Sequence, residues 1–182
     1  MDKYGLIGYP LGHSFSIGYF NEKFANEGID AVYENFEIPK IDNFPEVVDS
    51  NPELRGLNVT IPYKEKVISY LDVVSEEARA IGAVNVIKVE HKGKSSFLTG
   101  YNSDVIGFTK SIEPLIERFH NKALILGTGG ASKAIRFGLN KLGLEIKGPD
   151  LDNMKFKDRR NRRANVFVPE KRDYKHEQIL ET

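Results

Sequence analysis

"LRGLNVTIPYKEKVISYL", residues 54–71, carries the two periodicities on which the fold turns. Leu57, Val59 and Ile61 alternate with Asn58 and Thr60, the period of two that a strand imposes. Residues 62–71 then read as a helix, with Pro62 suited to its first turn, where no amide hydrogen is needed. The same succession runs on both sides of this stretch. Upstream, "YGLIGYP" (4–10) is a short strand, and "HSFSIGYFNEKFANEG" (13–28) sets Phe15, Tyr19, Phe20 and Phe24 at helical spacing. Ser14 or Ser16 can cap that helix and Gly28 can stop it. "AVYENFEI" (31–38) alternates as a strand, and a weaker helix follows in 41–50. Downstream come a capped helix in 75–82, a strand in 83–90, the turn "HKGK" (91–94) and a further strand in 95–102. Strand alternating with helix predicts an α/β fold with a mostly parallel sheet covered by helices.

Beyond residue 102 the pattern changes. "SDVIGFTKSIEPLIERF" (103–119) reads as one long amphipathic helix bridging two domains, and "KALILG" (122–127) as a fully buried strand. "GTGGASKAIRFGLNKLG" (127–143) is a Gly-rich turn opening into a helix. The next candidate strand, "LEIKGPD" (144–150), is broken almost at once by Gly148 and Pro149. The remainder, 151–182, is polar and weakly periodic, and is expected to be a loosely packed tail. No internal repeat is present.

Composition narrows the function classes. Lys+Arg and Asp+Glu balance at 26 each, so no global field recruits nucleic acid or an acidic membrane surface. The absence of cysteine excludes disulfides, thiolate metal sites and a cysteine nucleophile. The four histidines, His13, His91, His120 and His176, are too scattered to point to a metal. The N-terminus lacks a secretory pattern, and no apolar run approaches the roughly 18 residues needed to span a bilayer, so a cytoplasmic protein is expected. "RRNRR" (159–163) is read as a solvated run rather than a site for RNA or phosphate.

Three stretches carry candidate chemistry. Gly127, Gly129, Gly130, Ala131 and Ser132 lie between an aliphatic strand and a helix, the arrangement that holds a pyrophosphate on backbone N–H groups. An ordinary tight turn would look similar, and Ser132 stands where the usual fingerprint has Gly or Ala. In "NVTIPYK" (58–64), Asn58 and Thr60 share one strand face, and Lys64 follows across the proline. Such a mixture of donors and acceptors suits a polyhydroxylated ligand, and a lysine can move the proton in a ketone–alcohol interconversion. "GYNSDVIG" (100–107) supplies Asn102 and Asp104 at a strand–helix junction, where Asp104 could pair with Lys64. Each has an ordinary alternative: Lys64 on a solvated helix face, Asp104 as an N-cap. Tyr63 and Tyr101 are read as packing residues.

"GHSFS" (12–16), "NVTIPYK", "IGAVN" (81–85), "GYNSDVIGF" (100–108) and "LGTGGAS" (126–132), in that order and spacing, resemble the shikimate 5-dehydrogenase family over roughly residues 3–146. The resemblance implies hydride transfer between NADP and the alcohol or ketone carbon of shikimate and 3-dehydroshikimate, a step toward the aromatic amino acids. It implies an open α/β substrate domain (1–101), a bridging helix with the first strand–turn–helix of an incomplete Rossmann NADP-binding domain (102–147), and an atypical tail (148–182). Under it, Ser14 and Ser16 bind the substrate carboxylate, and Asn58, Thr60, Asn85 and Asn102 bind the ring substituents. Lys64 and Asp104 are the catalytic pair, and Gly127 to Ser132 hold the cofactor. His13 receives no catalytic role, and a homodimer is compatible with it. The likeness stops after Ile146: the family's Asn/Ser-Arg-Thr motif, whose arginine grips the 2′-phosphate of NADP, has no counterpart in 148–182. Impaired NADP binding, and a substrate half-site without a competent cofactor domain, are therefore expectations as well.

Overall fold

The computed structural model describes residues 1–12, 14–93 and 95–147, together with the backbone of two short strands at Asn165–Phe167 and Ile179–Glu181. The chain divides into two units, Met1–Asn102 and Ser103–Thr182.

In the first unit the order is β1 (Asp2–Gly8), α1 (Phe15–Glu27), β2 (Ala31–Glu37), a 3-10 turn (Ile41–Asn43), α2 (Phe44–Asp49) and β3 (Leu54–Val59). A second 3-10 segment (Lys66–Tyr70), β4 (Val73–Val74), α3 (Glu76–Ile81), β5 (Val86–Lys92) and β6 (Ser95–Tyr101) complete it. The sheet runs β2-β1-β3-β5-β6-β4. β1 is parallel to β2 and β3, and β4 is parallel to β6, whereas β5 is antiparallel to both β3 and β6. The sheet is thus mixed, more so than helix–strand alternation alone implies. The short turn through Gly93, at φ +65°, leaves β5 and β6 no route but a hairpin.

One core gathers Ile7, Phe44, Leu54, Leu57, Val59, Val67 and Ile87, all buried. Across the sheet, α1 packs through aromatic rings. Phe24 meets Tyr4, and Phe20 stacks on Tyr33 with centroids 4.7 Å apart. Only this half of the aromatic pattern packs inward, because Phe15 and Tyr19 are exposed. Lys3 ties neighbouring strands, its ammonium 3.3 Å from Glu34 on β2 and 2.9 Å from Glu53 before β3.

The helix expected over 62–71 is not formed. The chain makes turns through Lys64 and then the 3-10 segment, whose Val67 is buried beside the sheet. α3 follows expectation: Ser75 Oγ accepts from the Ala78 amide, and Gly82 ends the helix at φ +73°.

The second unit contains α4 (Asp104–Ile112), a 3-10 turn (Glu113–Leu115), β7 (Lys122–Leu126), α5 (Gly130–Lys141), β8 (Glu145–Lys147), β9 (Asn165–Phe167) and β10 (Ile179–Glu181). Its helix is shorter than 103–119 because Pro114 lacks the amide hydrogen needed to continue it. Its sheet is ordered β10-β9-β7-β8, with β7 and β8 parallel across α5 and β9 antiparallel to β7 and β10. β7 is not buried throughout: Ala123 and Ile125 face the core, and Leu124 and Leu126 are half-buried. A parallel β–α–β unit is the start of a Rossmann-like arrangement. The weak periodicity of 148–182 predicts no strand, yet 165–167 and 179–181 are paired backbone. His13, "RRNRR" and His176 lie outside the described residues.

Candidate active site

In the first unit the candidate residues collect at one end of the sheet, where β1, β3 and β6 finish. Two bonds extend the pairing past the strand ends: Thr60 N–H donates to Ile7 O (2.9 Å), and Tyr9 N–H donates to Ile61 O (3.1 Å). The segment leaving β1 is thereby laid against the segment leaving β3. Between them opens a cavity of about 440 Å³, bordered by Tyr9, Pro10, Ser14, Ser16, Thr60 and Ile61 among others. Ligands of open α/β sheets bind at the carboxyl ends of strands, because strand pairing ends there and the loops diverge.

Ser14 occupies the N-cap position of α1, but its hydroxyl makes no capping bond. Ser14 Oγ is buried and without a hydrogen-bond partner among the described residues. A buried hydroxyl left out of the protein's own bonding is costly, so a partner from outside the chain, water or ligand, is expected. Ser16 is the second residue of α1 and borders the same cavity. Tyr33 Oη donates to Asn58 Oδ1 at 2.8 Å. Sequence reasoning missed Tyr33, since in β2 it looks like any residue of a strand alternation. It is 3% exposed, and burial pushes its phenol up to about 12. Asn21, also missed, fixes it from α1: Asn21 Nδ2 donates to Tyr33 O (2.9 Å), and Tyr33 N–H donates to Asn21 Oδ1 (2.8 Å).

Backbone bonds bring in the next candidates. Val59 N–H donates to Asn85 O (2.8 Å), Asn85 N–H to Tyr101 O (3.0 Å), and Val84 N–H to Lys64 O (2.7 Å). Asn85 and Lys64 are held at the same end of the sheet as Thr60. Asn102 is buried, and its Nδ2 donates to Ala83 O at 2.9 Å, fixing the turn that carries Asn85. Tyr63 is a packing residue as expected, its hydroxyl donating to Ile38 O (2.7 Å), but Tyr101 is exposed and is not.

Asp104 belongs to the second unit, where it is the first residue of α4 and half-buried. Ser103, not Asp104, takes the N-cap position, and a carboxylate in the first turn is favoured by the helix dipole. In the glycine turn, Gly127 has φ +144°, a conformation that favours glycine, and a Cβ on Gly129 would meet no atom within 4 Å. The helix-opening N–H groups of Gly130, Ala131 and Ser132 follow. Ser132 itself is buried, its hydroxyl donating to Gly129 O at 2.6 Å, so only its backbone could serve a phosphate. These features fit a pyrophosphate. His91 is engaged by Leu54 O and Ser96 Oγ, and His120 Nδ1 accepts from Glu117 N–H. No group of three potential metal ligands occurs among the described residues.

Residues 6–87 match the family model of the shikimate dehydrogenase substrate binding domain. The chain is similar to the shikimate dehydrogenases. It is 42% identical over 149 residues to the shikimate dehydrogenase (NADP(+)) of Caldicellulosiruptor saccharolyticus, covering 80% of this chain and 52% of that protein. Among solved structures it resembles the shikimate dehydrogenase of Aquifex aeolicus, with TM-score 0.71, 38% identity, and coverage of 81% of this chain and 55% of that one. Shikimate 5-dehydrogenase from Thermus thermophilus in complex with NADP(H) and shikimate gives 0.70 and 33%, with coverage of 81% and 55%. The chain therefore spans about half the length of the shikimate dehydrogenases it matches. Among the described residues no helix is long and apolar enough to cross a membrane.

Proposed function

We propose that the first unit binds shikimate and 3-dehydroshikimate, and that the site takes part in their NADP-dependent interconversion. The observation that carries this is Ser14 Oγ, buried and without a partner among the described residues, beside Ser16 and Thr60 at the mouth of α1. A helix N-terminus with two hydroxyls is matched to a carboxylate, since its partial positive charge and N–H groups face the anion. Thr60, Asn58, Asn85 and Asn102 offer both donors and acceptors, which neutral ring hydroxyls require.

Lys64 and Asp104 are proposed as the two groups that hold and return the proton of the reacting oxygen. As shikimate is oxidised, the hydroxyl proton passes to this pair; in the reverse direction the pair returns it to the ketone oxygen. NADP, when bound, supplies the hydride acceptor. Gly127, Gly129, Gly130, Ala131 and Ser132 would hold its pyrophosphate through backbone N–H groups.

A second reading, a non-catalytic shikimate-binding domain, draws on the sequence of 148–182, which contains no Asn/Ser-Arg-Thr motif for the 2′-phosphate. Two measurements separate the readings. Calorimetry should detect shikimate binding; none at millimolar concentration to folded protein would end both. Following NADPH absorbance with shikimate and NADP then decides between them: turnover that Lys64→Ala abolishes supports the enzyme, whereas binding without turnover supports the second reading.

A further inference from the structure

Tyr33 stands on β2 and Asn58 on β3, with β1 between them in the sheet. The phenol of Tyr33 crosses β1 and donates to Asn58 Oδ1 at 2.8 Å. Its backbone is held for that reach. β2 is an edge strand whose residues turn their backbone groups alternately to β1 and to the open edge. Asp30 O accepts from Asp2 N–H and Ile38 N–H donates to Gly8 O, so the even positions face β1 and Tyr33 faces the edge. There Asn21 of α1 takes both groups, Nδ2 donating to Tyr33 O (2.9 Å) and Oδ1 accepting from Tyr33 N–H (2.8 Å). Phe20 stacks on the ring. At the other end of the bond, Asn58 stands beside the cavity: Leu6, its register partner on β1, and Thr60, on the same strand face, both line it.

We propose that Tyr33 is a positioning residue that turns Asn58 so that its amide NH₂, and not its carbonyl oxygen, meets the ligand. A side-chain amide carries its acceptor on one arm and its two donors on the other. With Oδ1 given to the phenol, Nδ2 is the arm that remains, and it makes no hydrogen bond among the described residues. Turned over, the amide would donate to the phenol oxygen instead. The phenol proton would then need another acceptor at a residue that is 3% exposed, and a buried donor left without one is costly. The site thereby selects a ring substituent that can accept a hydrogen bond. Hydroxyl and ketone oxygens both accept, so one amide serves either member of an alcohol–ketone pair. An ammonium, with no lone pair, is refused.

This inference rests on the shikimate-binding reading, and one set of measurements separates the two. Affinities for shikimate and for cyclohex-1-enecarboxylate, which keeps the ring and carboxylate but lacks the hydroxyls, are measured by calorimetry. The proteins are wild type, Tyr33→Phe, Asn58→Ala and the double variant. Tyr33→Phe should weaken shikimate roughly five- to tenfold, the scale of one lost hydrogen bond, and leave cyclohex-1-enecarboxylate unchanged. On the Asn58→Ala background the same substitution should cost nothing further, because the phenol acts only through that amide. Equal weakening of both ligands, or losses that simply add in the double variant, would make Tyr33 a packing residue and overturn the inference alone. Should Tyr33→Phe fail to fold, the side-chain NH₂ resonance of Asn58 in wild type decides. It should shift when shikimate binds and stay in place with cyclohex-1-enecarboxylate; no shift with shikimate would overturn the inference. Wild type binding neither ligand would end the shikimate reading and this inference with it.

Discussion

Gly8 ends β1 where a methyl group has no room: a Cβ there would collide with Thr60 Cγ2 and lie 2.7 Å from Leu11 Cδ2 and 3.0 Å from the Ile61 carbonyl oxygen. Backbone cannot yield as a long side chain can, so Gly8→Ala should push the 60–61 segment outward. Shikimate affinity is expected to fall about tenfold, with a loss of about 1–3 kcal/mol in the stability of the first unit. Calorimetry and denaturant melts check the two effects. Tyr33 gives a second residue-scale prediction. Its phenol is pushed up to about 12 in the fold, chiefly by burial, against 10.0 when exposed. Between these values the unfolded chain releases the proton and the native one keeps it. The stabilising contribution is thus whole below pH 10 and is lost as pH rises toward 12. Tyr63, also raised by burial, acts the same way and persists in Tyr33→Phe. The melting temperature of wild type should therefore fall more steeply than that of the variant across this window; parallel curves would contradict the assignment.

At the scale of elements, two glycines inside helices should respond oppositely to alanine. Gly18 lies in α1 with no atom within 4 Å of a built Cβ, so Gly18→Ala should add up to about 1 kcal/mol through helix propensity. Gly138 lies where α5 crosses α4, and a Cβ would sit 2.8 Å from Thr109 Cγ2 and 3.1 Å from Phe108 Cδ1. Gly138→Ala should therefore destabilise the second unit by about 1–3 kcal/mol, seen as early loss of amide protection in α4 and α5. Helix spacing alone does not distinguish these positions. The misread helix over 62–71 has the same origin. Local propensity favours a regular helix, but the Lys64 carbonyl is claimed by Val84 N–H and Tyr63 is drawn into the core. Tertiary bonds outcompete a nucleus that is costly on its own.

For the molecule as a whole, the question is what the second unit can hold. The glycine turn keeps the strand–turn–helix form on which the proposed phosphate site rests. With no arginine at the family's spacing for the 2′-phosphate, NADP affinity should be lower by about 1.5–3 kcal/mol, roughly one to two decades, than with that contact. Preference over NAD should vanish with it. Titration of both cofactors tests this, and micromolar NADP binding with strong discrimination would place the missing contact elsewhere in the chain.

Local signals determined a good part of this protein. The glycine stops at Gly28 and Gly82, the Ser75 cap, the strand alternation around Asn58 and the glycine turn after β7 all act within a few residues, and each took its expected form. The ordered motifs led to the family for the same reason, since each is a short stretch of chain. Tertiary structure alone decided which side chains meet. That Gly8 makes room for Thr60 and that Tyr33 bonds Asn58 depend on strands brought together across 25 to 52 residues of chain, and Ser14 keeps a buried hydroxyl free of its own helix. No local pattern encodes a hydrogen bond between β2 and β3, because its geometry exists only once β1 has paired with both.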